Sequence, residues 1–186
     1  MIYTLIALLA LELAFRAFLE IREARLFGKL VPLALFRCIP LLNDFIPLPE
    51  KSLEGGVQEK RNEKFVEMHE LAHRQKHHFL LRNMAKASFY SLMVLMIVVQ
   101  LNSLQMRLLE IVLWFHLANF AFRIFYHFLC WQQEAEADDF AAQKLGKYEV
   151  RKELSRLAKT ERPMSVLFAF VYREHQPAAK RRAKYQ

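Results

Sequence analysis

Cysteine, glycine and N-terminal basic residues are all scarce in this 186-residue chain. Its two cysteines, Cys38 and Cys130, stand far apart and form no metal-type pair, so both read as free buried thiols. Only four glycines occur and no strongly alternating strand pattern is visible, so the chain reads as all-α or mainly α. The N-terminus has neither the basic residues nor the small-residue cleavage site of a secretory signal, and its apolar block is expected to be a retained span or signal anchor. The loop expected between the second and third apolar blocks holds one basic residue, Arg107.

Apolar residues, by contrast, are abundant. They make up 54% of a chain that is also 25% charged, with mean hydropathy +0.06, which is too apolar for a typical soluble domain. They gather in blocks. The first, MIYTLIALLALELAFRAF from Met1, is broken only by Glu12 and Arg16 and approaches the roughly 20 residues that cross a bilayer. The second, centred on Ala87–Leu101, extends to Phe79 and Leu104, with Arg82 and Lys86 expected to snorkel at one end. The third, Leu108–Trp131, can span with some tilt. A link this short makes the last two a transmembrane hairpin with both ends on one side; two buried helices of a soluble bundle are the competing reading. Residues 30–49, with Pro32, Pro40, Pro47, Arg37, Asn43 and Asp44, fit a re-entrant or packed segment better than a straight span.

Lys and Arg orient the chain, because short loops rich in them stay cytoplasmic. Segment 16–29 holds four, 51–86 eight and 132–186 twelve. The predicted result is a multi-pass protein of the cytoplasmic (inner) membrane, with residues 63–78 and the C-terminal region on the cytoplasmic side. A net charge of +8 then needs no nucleic acid to account for it, since basic flanks also attract anionic membrane lipid.

The residues that carry chemistry begin at His69-Glu-Leu-Ala-His73. Two histidines four apart share one helix face and can hold one zinc ion, and the glutamate between them, Glu70, is the candidate general base. An exposed polar helix would also read this way. A third ligand must come from elsewhere, because a catalytic zinc has three protein ligands and one open position. After the third block comes Trp131-Gln-Gln-Glu134-Ala-Glu136-Ala-Asp138-Asp139, running to Gly146 in a helical pattern that places Glu134 and Asp138 on one face. A carboxylate there can complete the site and a second can accept the other ring N–H of a ligand histidine; an acidic, solvated helix start is the competing reading.

HELAH, a two-span hairpin and then EAEADDFAAQKLG resemble the HtpX-type membrane-integral zinc metallopeptidases, related to the type 1 CAAX prenyl endopeptidases. The resemblance covers roughly residues 63–182. It implies His69, His73 and Glu134 as ligands of one Zn2+, Glu70 as base and Asp138 as the carboxylate behind a ligand histidine. Glu174-His175-Gln-Pro177-Ala-Ala-Lys-Arg181-Arg182 is similar to the family's HPPxxxR element, with Gln176 where the family has a proline. It implies His175 and Arg181 near the reacting carbonyl; a basic disordered tail is the other reading. The family's Asn-Ala-Phe edge strand, which binds substrate backbone, has no counterpart before HELAH.

These readings converge on one membrane-embedded zinc endopeptidase domain over residues 1–186. Its parts are spans at 1–19, 79–104 and 108–131, a motif helix at 63–78, a third-ligand helix at 132–146 and a basic region at 147–186. Glu70 would deprotonate a zinc-bound water that attacks a peptide bond of a peptide or membrane-protein substrate. A zinc-binding sensor or adaptor without proteolytic activity is the alternative, and a structural membrane protein with a chance HELAH is a third. Oligomeric state, substrate and pathway are not encoded legibly. His77 and His78, directly after the motif, are expected to be exposed toward headgroups, and the stripe His116, Asn119, Arg123, His127 to face a helix or wet cavity.

Overall fold

The computed structural model describes residues 1–28, 62–103 and 107–185. Seven helices lie among them: α1 (Ile2–Phe27), α2 (Glu63–Gln75), α3 (His78–Ser103), α4 (Leu108–Leu145), α5 (Lys147–Thr160), α6 (Val166–Tyr172) and α7 (Ala178–Ala183). No strand occurs among the described residues. The protein is an all-α membrane protein: α1, α3 and α4 are long and apolar enough to cross a bilayer. Residues 30–49 and 51–61 lie outside the described residues, as do Cys38 and Leu104.

Two compact units divide the chain: Met1–Leu48 with Ala85–Ile124, and Pro49–Met84 with Phe125–Gln186. In the first, the usual distribution of residues is inverted. Tyr3, Leu11 and Phe18 of α1 and Leu92, Val94 and Leu95 of α3 are exposed, whereas Glu12 and Arg16 are buried. Water would penalise that surface, but hydrocarbon would not, and polar groups then turn inward to partners. The Arg16 guanidinium donates to Glu12 from Nε at 2.8 Å. Glu12 also lies 2.8 Å from His116 Nε2 on α4, and Arg16 packs over the Phe120 ring, 4.3 Å from its centroid. Phe89 stacks on Phe122 with centroids 4.0 Å apart, and the Tyr90 hydroxyl donates to Asn119 at 3.5 Å. The expectation that the His116 stripe turns toward a helix holds for His116, whose partner is on α1. The two residues that interrupt the first apolar block are therefore the ones that tie it to α4.

The second unit has an ordinary apolar core of Phe65, Ala141, Val150, Leu154 and Tyr185, flanked by Val66, Met68, Ala142, Leu145 and Leu157. The third apolar block and the acidic helix after it form one uninterrupted 38-residue helix, α4. Gly146, at φ 88, then breaks the chain before α5; this left-handed region strains residues that carry a Cβ. The basic C-terminal region folds into α5, α6 and α7 instead of forming a tail.

Leu154→Ala should destabilise this unit by about 2–5 kcal/mol through cavity formation. Leu95→Ala, at an outward-facing position on α3, should stay within about 0.5 kcal/mol of wild type. Thermal unfolding in detergent measures both, and equal losses would contradict the inverted packing.

Candidate metal centre

Helix α2 is set up to present histidines. Asn62 caps it, its side chain accepting from the Lys64 N–H at 3.2 Å, which contributes about 1 kcal/mol. The Asn62 N–H in turn donates to Glu153 of α5 at 3.3 Å. Phe65, His69, Ala72 and His73 form the buried face, so the apolar contacts of Phe65 fix the helix rotation that turns both imidazoles inward. The helix stops at Lys76, and His77 takes φ 55, the conformation that redirects the chain into α3.

Helix α4 brings Glu134 to these histidines. His69 Nε2 lies 3.1 Å from His73 Nε2 and 3.2 Å from Glu134 Oε2, and His73 Nε2 lies 3.4 Å from Glu134 Oε1. One ligand atom from each residue falls within 4.8 Å of the others, a set that could hold a metal ion. The donor chemistry fits zinc: two imidazole nitrogens and a carboxylate oxygen, at separations near the ~3.3 Å edge of a tetrahedron with ~2.0–2.1 Å bonds. Glu134 is 2% exposed, and a carboxylate so buried demands cationic or hydrogen-bonding partners.

Asp138, one turn on, is also buried, with Oδ1 3.1 Å from His69 Nδ1. Arg181 of α7 grips the same carboxylate with two bonds, Nε to Oδ2 at 2.7 Å and Nη2 to Oδ1 at 2.6 Å. Burial works against the charged form of His69, but its bonds to Asp138 and Glu134 outweigh that and raise its pKa above the ordinary value. Burial likewise opposes the Arg181 charge, and the bonds to Asp138 outweigh it in the same direction. Next to this pair, the Tyr185 hydroxyl donates to Asp139 at 2.8 Å; burial and that bond push its pKa up.

The residues singled out in the sequence divide into groups. His69, His73, Glu134, Asp138 and Arg181 form one connected cluster. His175 Nδ1 lies 3.1 Å from Glu134 Oε2 although the side chain is half exposed. Glu70 is solvent-exposed on the next position of α2, open to an incoming molecule.

Two readings of polar residues need revision. His78 is buried, not exposed, with Nδ1 2.9 Å from His73 Nδ1; only His77 of that pair is exposed. Arg82 does not snorkel: it is buried and donates to Gln133 at 2.6 Å and to Glu134 Oε1 at 3.0 Å. Gln133 carried no signal in the sequence. The spacing of His78 and Arg82, four apart, matched that of His69 and His73 and could have marked a second inward helix face.

Two histidines and a glutamate are the donor set of zinc metallopeptidases such as thermolysin. A family model, peptidase family M48, matches residues 51–184, and the chain belongs to that family. Membership supports a metallopeptidase function. No curated protein and no solved structure matches the chain.

Arg181→Met should strand the buried Asp138 carboxylate and cost on the order of 3–5 kcal/mol. Arg181→Lys should recover only part of this, since a point charge cannot make both bonds. Chemical denaturation of the metal-free protein reads the difference.

Proposed function

We propose that the protein is a zinc-dependent endopeptidase of the HtpX-like type that hydrolyses peptide bonds at the cytoplasmic face of the membrane. The observation that carries this reading is the meeting around one small volume of His69 and His73 of α2 with Glu134 of α4, which lies 61 positions beyond His73. In this reading His69 and His73 each offer Nε2, Glu134 offers a carboxylate oxygen, and Asp138 holds His69 by its other ring nitrogen. Zinc held there would supply Lewis-acid chemistry, polarising the scissile carbonyl and lowering the pKa of water to about 7.

The chain's own residues do the rest. Glu70, exposed on α2 directly after His69, accepts a proton from the attacking water and delivers it to the leaving amine. His175, next to Glu134, offers a hydrogen-bond donor to the developing oxyanion. Arg181 contributes through Asp138, whose carboxylate it holds in place. The substrates are peptides or membrane-protein segments presented at the bilayer surface.

Orientation follows from charge. The segments that carry the cluster and the C-terminal helices hold most of the Lys and Arg residues, and such segments are retained on the cytoplasmic side. In spheroplasts, a cysteine substituted at Lys159 should resist a membrane-impermeant maleimide, whereas one at Ser103 should react. The reverse pattern would place the site on the outer face.

Glu70→Gln should lower peptide hydrolysis by at least about 100-fold, the lower range for a general base, while leaving bound zinc near one ion per chain. His73→Ala should lose both. Metal analysis of the purified proteins and a peptide-cleavage assay give the two readouts. A metal-free wild type would overturn the zinc reading, and full activity in Glu70→Gln would overturn the assignment of the base.

A further inference from the structure

Each of the three candidate ligands has a partner on its far side. For His69 that partner is Asp138. The other two partners both come from the first two turns of α3. His78 Nδ1 lies 2.9 Å from His73 Nδ1, and Arg82 Nη2 donates to Glu134 Oε1 at 3.0 Å while its Nε donates to Gln133 Oε1 at 2.6 Å. His78, Arg82, Gln133 and Glu134 are all buried. Spacing of four residues puts His78 and Arg82 on one face of α3, as it puts His69 and His73 on one face of α2. The φ 55 turn at His77 separates the two helices and allows both faces to converge.

We propose that His78 and Arg82 are positioning residues of the metal centre, His78 orienting the His73 ring and Arg82 holding one oxygen of Glu134. This inference rests on the zinc reading above and deepens it. When His73 presents Nε2 toward the ligand cluster, its Nδ1 carries the hydrogen and donates to His78 Nδ1. His78 then carries its own hydrogen on Nε2, 3.5 Å from Glu136 Oε2, a carboxylate that Lys76 also holds at 2.8 Å. The Glu136 carboxylate thus favours the one His78 tautomer that can accept from His73. Arg82 commits Glu134 Oε1 to a guanidinium and leaves Oε2, which faces His69 and His175, for the ion. An Arg is suited to this because its planar fork bonds Gln133 and Glu134 together. Both residues stand on a helix long and apolar enough to span the membrane, so the geometry of two ligands is referred to that helix and not only to α2 and α4.

The test is zinc affinity of the full chain in detergent, measured by competition with a chromophoric chelator, together with the visible spectrum of the cobalt-substituted protein. His78→Leu and Arg82→Met should each weaken zinc binding by about 10–100-fold and alter the cobalt bands. His78→Gln retains an acceptor and should recover most of the loss, whereas Arg82→Lys retains a donor without the fork and should recover only part. Should the apolar replacements fail to fold, His78→Lys, which keeps polar reach but cannot accept a bond, should lose affinity against His78→Gln, and Arg82→Gln should fall between Arg82→Lys and wild type on one side and loss of binding on the other. Wild-type affinity and cobalt spectra in His78→Lys and Arg82→Gln would overturn the inference. A wild-type chain that binds no zinc would instead overturn the reading on which it rests.

Discussion

The burial of the Glu134 carboxylate is the constraint on which the second unit depends. A carboxylate with 2% exposure persists where donors or cations surround it, because leaving it unpaired would remove a large part of the stability of a small domain. Its two oxygens face His69, His73, Arg82 and His175, which come from α2, α3 and the segment before α7. Those elements must therefore arrive at α4 together. The same requirement recurs one turn on, where Asp138 is held by His69 and Arg181. Two buried acids on one helix face thus draw in three other parts of the chain, and the apolar cluster around Leu154 and Phe65 gives the cohesion that keeps them there.

In the first unit the same physics operates with the apolar term reversed. Exposed leucines and valines on α1 and α3 carry no penalty in hydrocarbon, so helix association there has to come from packing and polar contacts. The Glu12–Arg16–His116 contacts and the Phe89–Phe122 stack are of that kind. Glu12 and Arg16 look like defects in an apolar block when read in sequence, yet both are buried. A membrane helix tolerates such residues when each one has a partner inside the protein.

Several features were legible from residue order alone. The start of the motif helix at Glu63 and the end of α4 before Gly146 follow from local pattern, whereas the stop of α2 at Gln75 and the continuity of α4 through both expected segments do not. The face shared by His69 and His73, and that shared by Glu134 and Asp138, follow from helical spacing. Less legible were the burial of His78 and Arg82 and the folding of the basic C-terminal region. Histidine and arginine at the end of an apolar block read as interfacial, since nothing in their neighbours reveals that an acid 52 positions beyond Arg82 will be buried against it. Arg181 sits in a run of basic residues where its likeness to the HPPxxxR element marks it out, but its bidentate hold on Asp138 is visible only in the fold.

The amino-acid sequence by itself determined the helical class, the three apolar helices, the spacing that pairs histidine with histidine and acid with acid, and the family to which the chain belongs. These depend on contacts within a turn or on local composition, which are written in consecutive residues. Only the tertiary structure decided that Glu134 meets His69 and His73, that Asp138 is shared between His69 and Arg181, and that α3 turns His78 and Arg82 toward the same cluster. Such meetings between distant segments depend on how buried charges find compensation across helices, and that balance exists only once the helices have packed.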